Sequence, residues 1–129
     1  MPPGLARLKR RADFLRVAAT RRRAVRDGLI LQAAPKPEGE GPDGKIGELR
    51  VGYTASRRVG NAVTRNRAKR RLRAAAAEVI GRDGRKGTDY VLIARATTPS
   101  RRYRDLVGDL AGALRQVERQ VDRRRAEER

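Results

Sequence analysis

Residues 57–73 read RRVGNAVTRNRAKRRLR, and the chain runs on as AAAAEVI to residue 80. At 100° per residue, Ala68, Leu72, Ala75, Ala76 and Val79 fall on one side. That spacing predicts a helix over 61–80, packed on a sheet and closed by Gly81. Asn66, Arg67, Arg70 and Arg73 fall on the opposite side; Arg71 takes one flank, and Arg65 and Lys69 the other, close to the apolar edge. No acid occurs from residue 49 to residue 77, whereas Arg50, Arg57, Arg58, Arg65, Arg67, Lys69, Arg70, Arg71 and Arg73 all lie there. Exposed helices usually mix signs so that i,i+4 pairs form. Single-sign charge repels itself in a compact fold, and a polyanionic partner relieves it. Gly60 and Asn61, just before the helix, add free N–H groups and a positive dipole end suited to phosphate.

Working outward, residues 49–55 alternate, with Leu49, Val51, Tyr53 and Ala55 on one face, and read as a strand. Residues 28–34 (GLILQAA) and 88–96 (TDYVLIARA) read as two more. A first helix is expected over 8–19, with Ala12, Leu15, Ala18 and Ala19 at helical spacing. A last helix follows Pro99 and Ser100, its stripe formed by Leu106, Leu110, Ala113, Leu114, Val117 and Val121. The proline- and glycine-rich stretch 35–47 is expected to be a flexible loop. The 129 residues suffice for one core, so a single domain is expected, with its core over about 8–118 and a charged tail over 119–129. The fold class is α+β, helices covering a mixed sheet.

Composition narrows the partner. Lys and Arg number 33 against 15 acids, a formal charge of +18, and only Lys9, Lys36, Lys45, Lys69 and Lys86 are lysines. The arginine fork suits phosphate oxygens and base edges better than an ammonium does. No apolar run of about 20 residues could span a bilayer, and residues 1–11 do not read as a secretory signal, so a cytoplasmic protein is expected. With no cysteine there is no disulfide or thiolate zinc site, and with no histidine the usual general base is missing. Phe14, Tyr53, Tyr90 and Tyr103 are the only aromatics, too few for a groove lined by stacking platforms. A stand-alone nuclease would need clustered carboxylates, but Asp13, Asp27, Asp83, Asp89, Asp105 and Asp109 are scattered without metal-ligand spacing. Composition alone leaves a ribosomal or RNA-chaperone type of basic protein open.

Residues 57–73 resemble the signature of the protein-subunit family of bacterial ribonuclease P. In that family an Arg-Asn-Arg core is followed by Lys-Arg and a further Arg on one helix, here Arg65, Asn66, Arg67, Lys69, Arg70 and Arg73. Residues 11–17 (RADFLRV) resemble that family's first helix, 50–56 (RVGYTAS) its strand before the motif, 88–95 the next strand and 103–114 the closing helix. The resemblance implies a two-layer sandwich with a four-stranded mixed sheet and three helices in the order αβββαβα. It also implies a left-handed βαβ crossover, against the common rule, and a ribosomal protein S5 domain 2-like fold.

The resemblance further implies that no residue of this chain is catalytic. A large RNA subunit with bound Mg2+ would cut the 5′ leader from precursor tRNA, one protein serving one RNA, with no DNA and no membrane involved. The RNA-subunit-binding residues would be Arg57, Arg58, Asn61, Arg65, Asn66, Arg67, Lys69, Arg70 and Arg73. The leader would lie in a cleft between the first helix and the sheet face, against Phe14, with Arg11, Val17, Gln32 and Tyr53 where the other cleft residues fall. Two positions depart from the family: Ala18 and Gln32 stand where it often has aromatics, leaving stacking to Phe14, Tyr53 and the arginines.

Overall fold

The computed structural model of the chain describes residues 5–35 and 49–127. Apart from Pro35, the expected flexible loop over 35–47 lies outside the described residues. The elements are β1 (Leu5–Arg7), α1 (Arg11–Ala19), β2 (Arg23–Val25), β3 (Leu29–Pro35), β4 (Leu49–Thr54), a 3-10 turn (Arg57–Val59), α2 (Ala62–Asp83), β5 (Thr88–Ala94) and α3 (Tyr103–Glu127). They build one mixed sheet in the order β1-β4-β5-β3-β2. Strand β4 runs parallel to both β1 and β5, and β3 runs antiparallel to both β5 and β2.

From α1 onward the order is the expected αβββαβα, but the sheet has five strands rather than four. The extra strand, β1, lies in a segment with no alternation to announce it. It is a strand because β4 offers a free edge: Leu5 pairs with Leu49 and Arg7 with Val51, and the Leu8 N–H then donates to the Val51 carbonyl at 3.0 Å. That last bond holds residues 8–10 outside the helix, so α1 starts at Arg11 instead of residue 8.

The layering also differs from a plain two-layer sandwich. Leu29, Leu31 and Ala33 of β3, Leu49 and Val51 of β4, and Tyr90, Leu92 and Ala94 of β5 face α2 and α3 in the main core. The alternate residues Ala34 and Val91, with Ile93 packed beside them, join Leu8, Phe14 and Val17 in a second, smaller core on the opposite face. Helices therefore cover both faces, α1 alone on one of them.

The phase of α1 is inverted from the sequence reading. Its buried residues are Asp13 and Val17, whereas Ala12, Ala18 and Ala19 are exposed and Leu15 is 58% exposed. The reason is ionic. Arg50 of β4 grips Asp89 of β5 through two bonds of 2.8 and 2.6 Å, Arg16 also reaches Asp89, and Asp13 receives Arg10 at 3.0 Å and lies 3.6 Å from both Arg16 and Arg50. A buried carboxylate needs such partners, and they turn Asp13 inward.

Helix α2 keeps the predicted phase, burying Ala68, Leu72, Ala75, Ala76, Val79 and Ile80. It runs through Gly81 and stops at Gly84, whose N–H donates to the Ile80 carbonyl at 2.9 Å. A lone exposed glycine costs a helix only about 1 kcal/mol, too little to end one packed on a sheet. In α3 the predicted stripe is buried through Val117, and the helix continues to Glu127 through most of the expected tail.

Candidate nucleic-acid interface

The start of α2 is locally specified. Asn61 caps the helix, its side-chain oxygen accepting from the Thr64 N–H at 2.9 Å, a cap worth about 1 kcal/mol. Gly60 sits at φ 148°, and a Cβ there would meet the Thr64 side chain at 2.9 Å. Asn61 thus has a structural duty besides any contact with a ligand. Arg57, Arg58, Asn66, Arg67 and Arg70 are exposed, and Arg65 and Lys69 are half-buried. Among the described residues none of these six cations has an ion-pair partner (Arg57, Arg58, Arg65, Arg67, Lys69, Arg70). They form a ridge of uncompensated charge on a rigid helix and the turn before it.

Two arginines of the motif region behave differently. Arg73 leans back from the outward face on which the sequence reading put it, its guanidinium carbon 5.5 Å from the Tyr53 ring centroid in a cation–π contact. Arg71 is spent on structure, donating to the Thr98 carbonyl at 3.1 Å and to that of Arg101, so it ties α2 to the approach to α3.

The residues expected to form one cleft are divided by the sheet. Phe14 lies half-buried on Gly52, where a Cβ would come within 2.5 Å of the ring. Gln32, half-buried, pairs with Val91 on the same face. Arg11 is exposed at the start of α1, and Val17 is fully buried beneath it. Tyr53 points the other way: it pairs with Leu92 and packs on the main core, beside Arg73, Leu5 and Arg7. Burial raises the Tyr53 phenol above its ordinary pKa, against the opposing charges of Arg73 and Arg7. The structure therefore brings Phe14 and Gln32 together over Val17 and separates Tyr53 from them. The β4 alternation already grouped Tyr53 with Leu49 and Val51; which face α1 would cover was not readable.

Sequence reasoning missed one row. Val25, Ile30, Ile93 and Thr54 are register partners across β2, β3, β5 and β4. They lie on the face that carries α1, Val25 47% exposed and the other three half-buried. Beside Phe14 they leave a partly exposed trough on the sheet face. The only signal was the period-2 placement of Ile30 and Ile93 opposite the core residues.

The described acids do not suit a metal centre. No group of three or more potential ligands converges among the described residues, and Asp13 and Asp89 are each turned to arginines. No helix among them is long and apolar enough to cross a membrane.

The family model for ribonuclease P matches residues 3–118. The chain belongs to the ribonuclease P protein family. It is 53% identical over 117 residues to the ribonuclease P protein component of Paramagnetospirillum magneticum, covering 91% of this chain and 86% of that one. It is 46% identical over 115 residues to that of Ruegeria pomeroyi, covering 88% and 87%. In fold it is similar to the RNase P protein of Staphylococcus aureus, with a TM-score of 0.67 at 24% identity over 84% of this chain and 92% of that one. The Thermotoga maritima RNase P protein gives 0.65 at 22% identity, over 84% and 94%. As a ribonuclease P protein component the chain is an RNA-binding part of a tRNA-processing ribonucleoprotein enzyme.

Proposed function

We propose that this chain docks on the catalytic RNA of ribonuclease P through α2 and the turn before it, and holds the 5′ leader of precursor tRNA against Phe14 and the open sheet face. It thereby assists endonucleolytic removal of the leader, while the RNA carries the chemistry. The observation that supports this most directly is the ridge of six cations, Arg57, Arg58, Arg65, Arg67, Lys69 and Arg70, with no acidic partner among the described residues. Uncompensated charge on a rigid helix is what phosphate contacts need. Asn61, Asn66 and Arg73 belong to the same surface, Asn61 as cap and Arg73 through its hold on Tyr53.

On the leader side the trough supplies one aromatic, Phe14, with Gln32, Ile30 and Ile93 as its floor and Arg11 at its rim. Val17 supports the trough from below, and Tyr53 serves the other face. Mg2+ is held mainly by the RNA, while Asp13 and Asp89 of this chain are turned to arginines. The crossover from β4 through α2 to β5 is left-handed and ribosomal protein S5 domain 2-like, a reading supported by the similarity in fold to the solved RNase P proteins. One protein acts with one RNA, in the cytoplasm.

The test is cleavage of labelled precursor tRNA by the cognate catalytic RNA at low magnesium, with and without this protein. Stimulation is expected. No effect sinks the subunit reading in favour of a ribosomal or chaperone protein, and cutting by the protein without RNA would revive a stand-alone nuclease.

A further inference from the structure

A second basic surface lies at the β2 edge of the sheet. The turn from α1 to β2 carries Arg21, Arg22 and Arg23, and the last turns of α3 come against it. Gln120 donates to the Arg23 carbonyl at 3.0 Å and Arg124 to that of Thr20 at 3.4 Å, so the end of α3 is tied to the turn. Between them opens a groove of about 270 Å³ lined by Thr20, Arg21, Arg22, Gln120, Arg123 and Arg124, with Glu127 its single acid. Arg21 has φ 58°, a left-handed backbone that side chains other than glycine adopt rarely and that often marks a functional position.

Along the outside of α3, Arg115, Arg119 and Arg123 recur every four residues and are exposed, about 6 Å apart along the axis. None of the three has an ion-pair partner among the described residues, while the neighbouring acids Glu118 and Asp122 turn to Arg85 on the far side. No aromatic or large apolar side chain lies between these arginines, so neither base stacking nor insertion into lipid suits them. A straight rail of guanidinium groups suits the phosphate ridge of an RNA double helix.

The rail stands on a different helix from the α2 ridge. Helix α2 packs over β4 and β5, and α3 over β3 and β2.

We infer that Arg21, Arg23, Arg115, Arg119, Arg123 and Arg124 form a second docking surface for a double-helical segment of the same catalytic RNA, so that the protein engages two RNA segments, one on α2 and one along α3 and the β2 edge of its sheet. This rests on the reading of α2 as the first docking surface.

The chain has no cysteine, so one can be introduced to carry a tethered iron–EDTA cleaver. Val63→Cys, at a residue 76% exposed in the first turn of α2, and Ala126→Cys, at an exposed position near the end of α3, are compared in the complex of catalytic RNA and precursor tRNA. Two separate sets of cuts in the catalytic RNA are expected, one from each tether. Cuts from Val63→Cys alone overturn the second surface and leave the first standing. Cuts from neither overturn both, and cuts from Ala126→Cys confined to the precursor tRNA overturn the choice of partner. In parallel, Arg119→Gln with Arg123→Gln should weaken binding of the catalytic RNA by about tenfold near physiological salt and make the salt dependence shallower by about two units. Both positions are exposed, so an unchanged thermal midpoint is the fold control, and unchanged affinity in a folded variant overturns the inference.

Discussion

Asp89 is fully buried and receives Arg50 through two bonds while Arg16 reaches it from α1. Asp13 lies within 3.6 Å of the same two arginines. Four side chains from three elements thus meet at one cluster, and α1 is held over Gly52 by ionic contacts as well as by Phe14 and Val17. Removing one partner of a buried pair costs far more than the pair contributes, because a charge is left stranded. Asp89→Asn should therefore lower unfolding stability by about 3–5 kcal/mol in denaturant titration; a loss below about 1 kcal/mol would mean that water already screens the cluster. Tyr103 gives a second residue-level test. Its phenol is pushed up to about 12, first by desolvation and then by the hydrogen bond and charge of Glu78, with Arg71 opposing. The folded state favours the neutral phenol, so this contribution is complete below about pH 10 and is lost as pH rises towards 12. Tyr103→Phe keeps the ring and removes the ionisation, so its thermal midpoint should fall less steeply between pH 10 and 12 than that of the parent protein. Identical slopes would exclude the Glu78 contact as its source. Burial also raises Tyr53 and Tyr90, so part of the alkaline decline should remain.

At the scale of elements, α2 separates its duties by helical phase. The apolar side packs on β4 and β5, and the cations outside the stripe are available to a ligand, except Arg71, which the fold uses, and Arg82, which pairs with Asp83. Replacing Arg65 and Arg67 with Ala should therefore weaken affinity for the catalytic RNA and make the salt slope shallower by about two units, one for each phosphate no longer neutralised. The thermal midpoint should hold, because neither side chain has an ion-pair partner among the described residues. A large drop in stability with no change in RNA affinity would reverse the assignment. Helix α1 is the contrasting case. It is nine residues long, too short to be stable by itself, and its orientation is dictated by β4 and β5.

For the whole molecule, a formal charge of +18 on 129 residues makes RNA binding dominated by counterion release. The six cations of the α2 ridge alone predict a slope of log affinity against log salt near about −5, a loss of roughly a thousandfold between 50 and 200 mM. Titration by filter binding or fluorescence checks this, and a flat profile would show that something other than phosphate drives association. A slope clearly steeper than six neutralised phosphates allow is the behaviour expected when the arginines of α3 also engage.

The sequence by itself determined the phase of α2, the strands β3, β4 and β5, the stripe of α3 and the family, since these depend on period and local spacing along one segment. The outward arginine ridge and its kinship to ribonuclease P proteins were legible in residues 57–73 alone. Only the tertiary structure decided the rest. Strand β1 exists because β4 has an open edge to pair with, and α1 buries Asp13 rather than Leu15 because Arg50 and Asp89, distant in sequence, supply the ionic partners. The sheet sets Phe14 and Tyr53 on opposite faces, and it brings Arg21, Arg23 and the end of α3 to one edge across roughly a hundred residues of chain. A contact between segments leaves no period in either of them, which is why the helix that binds was readable from its own residues and the surfaces built from several elements were not.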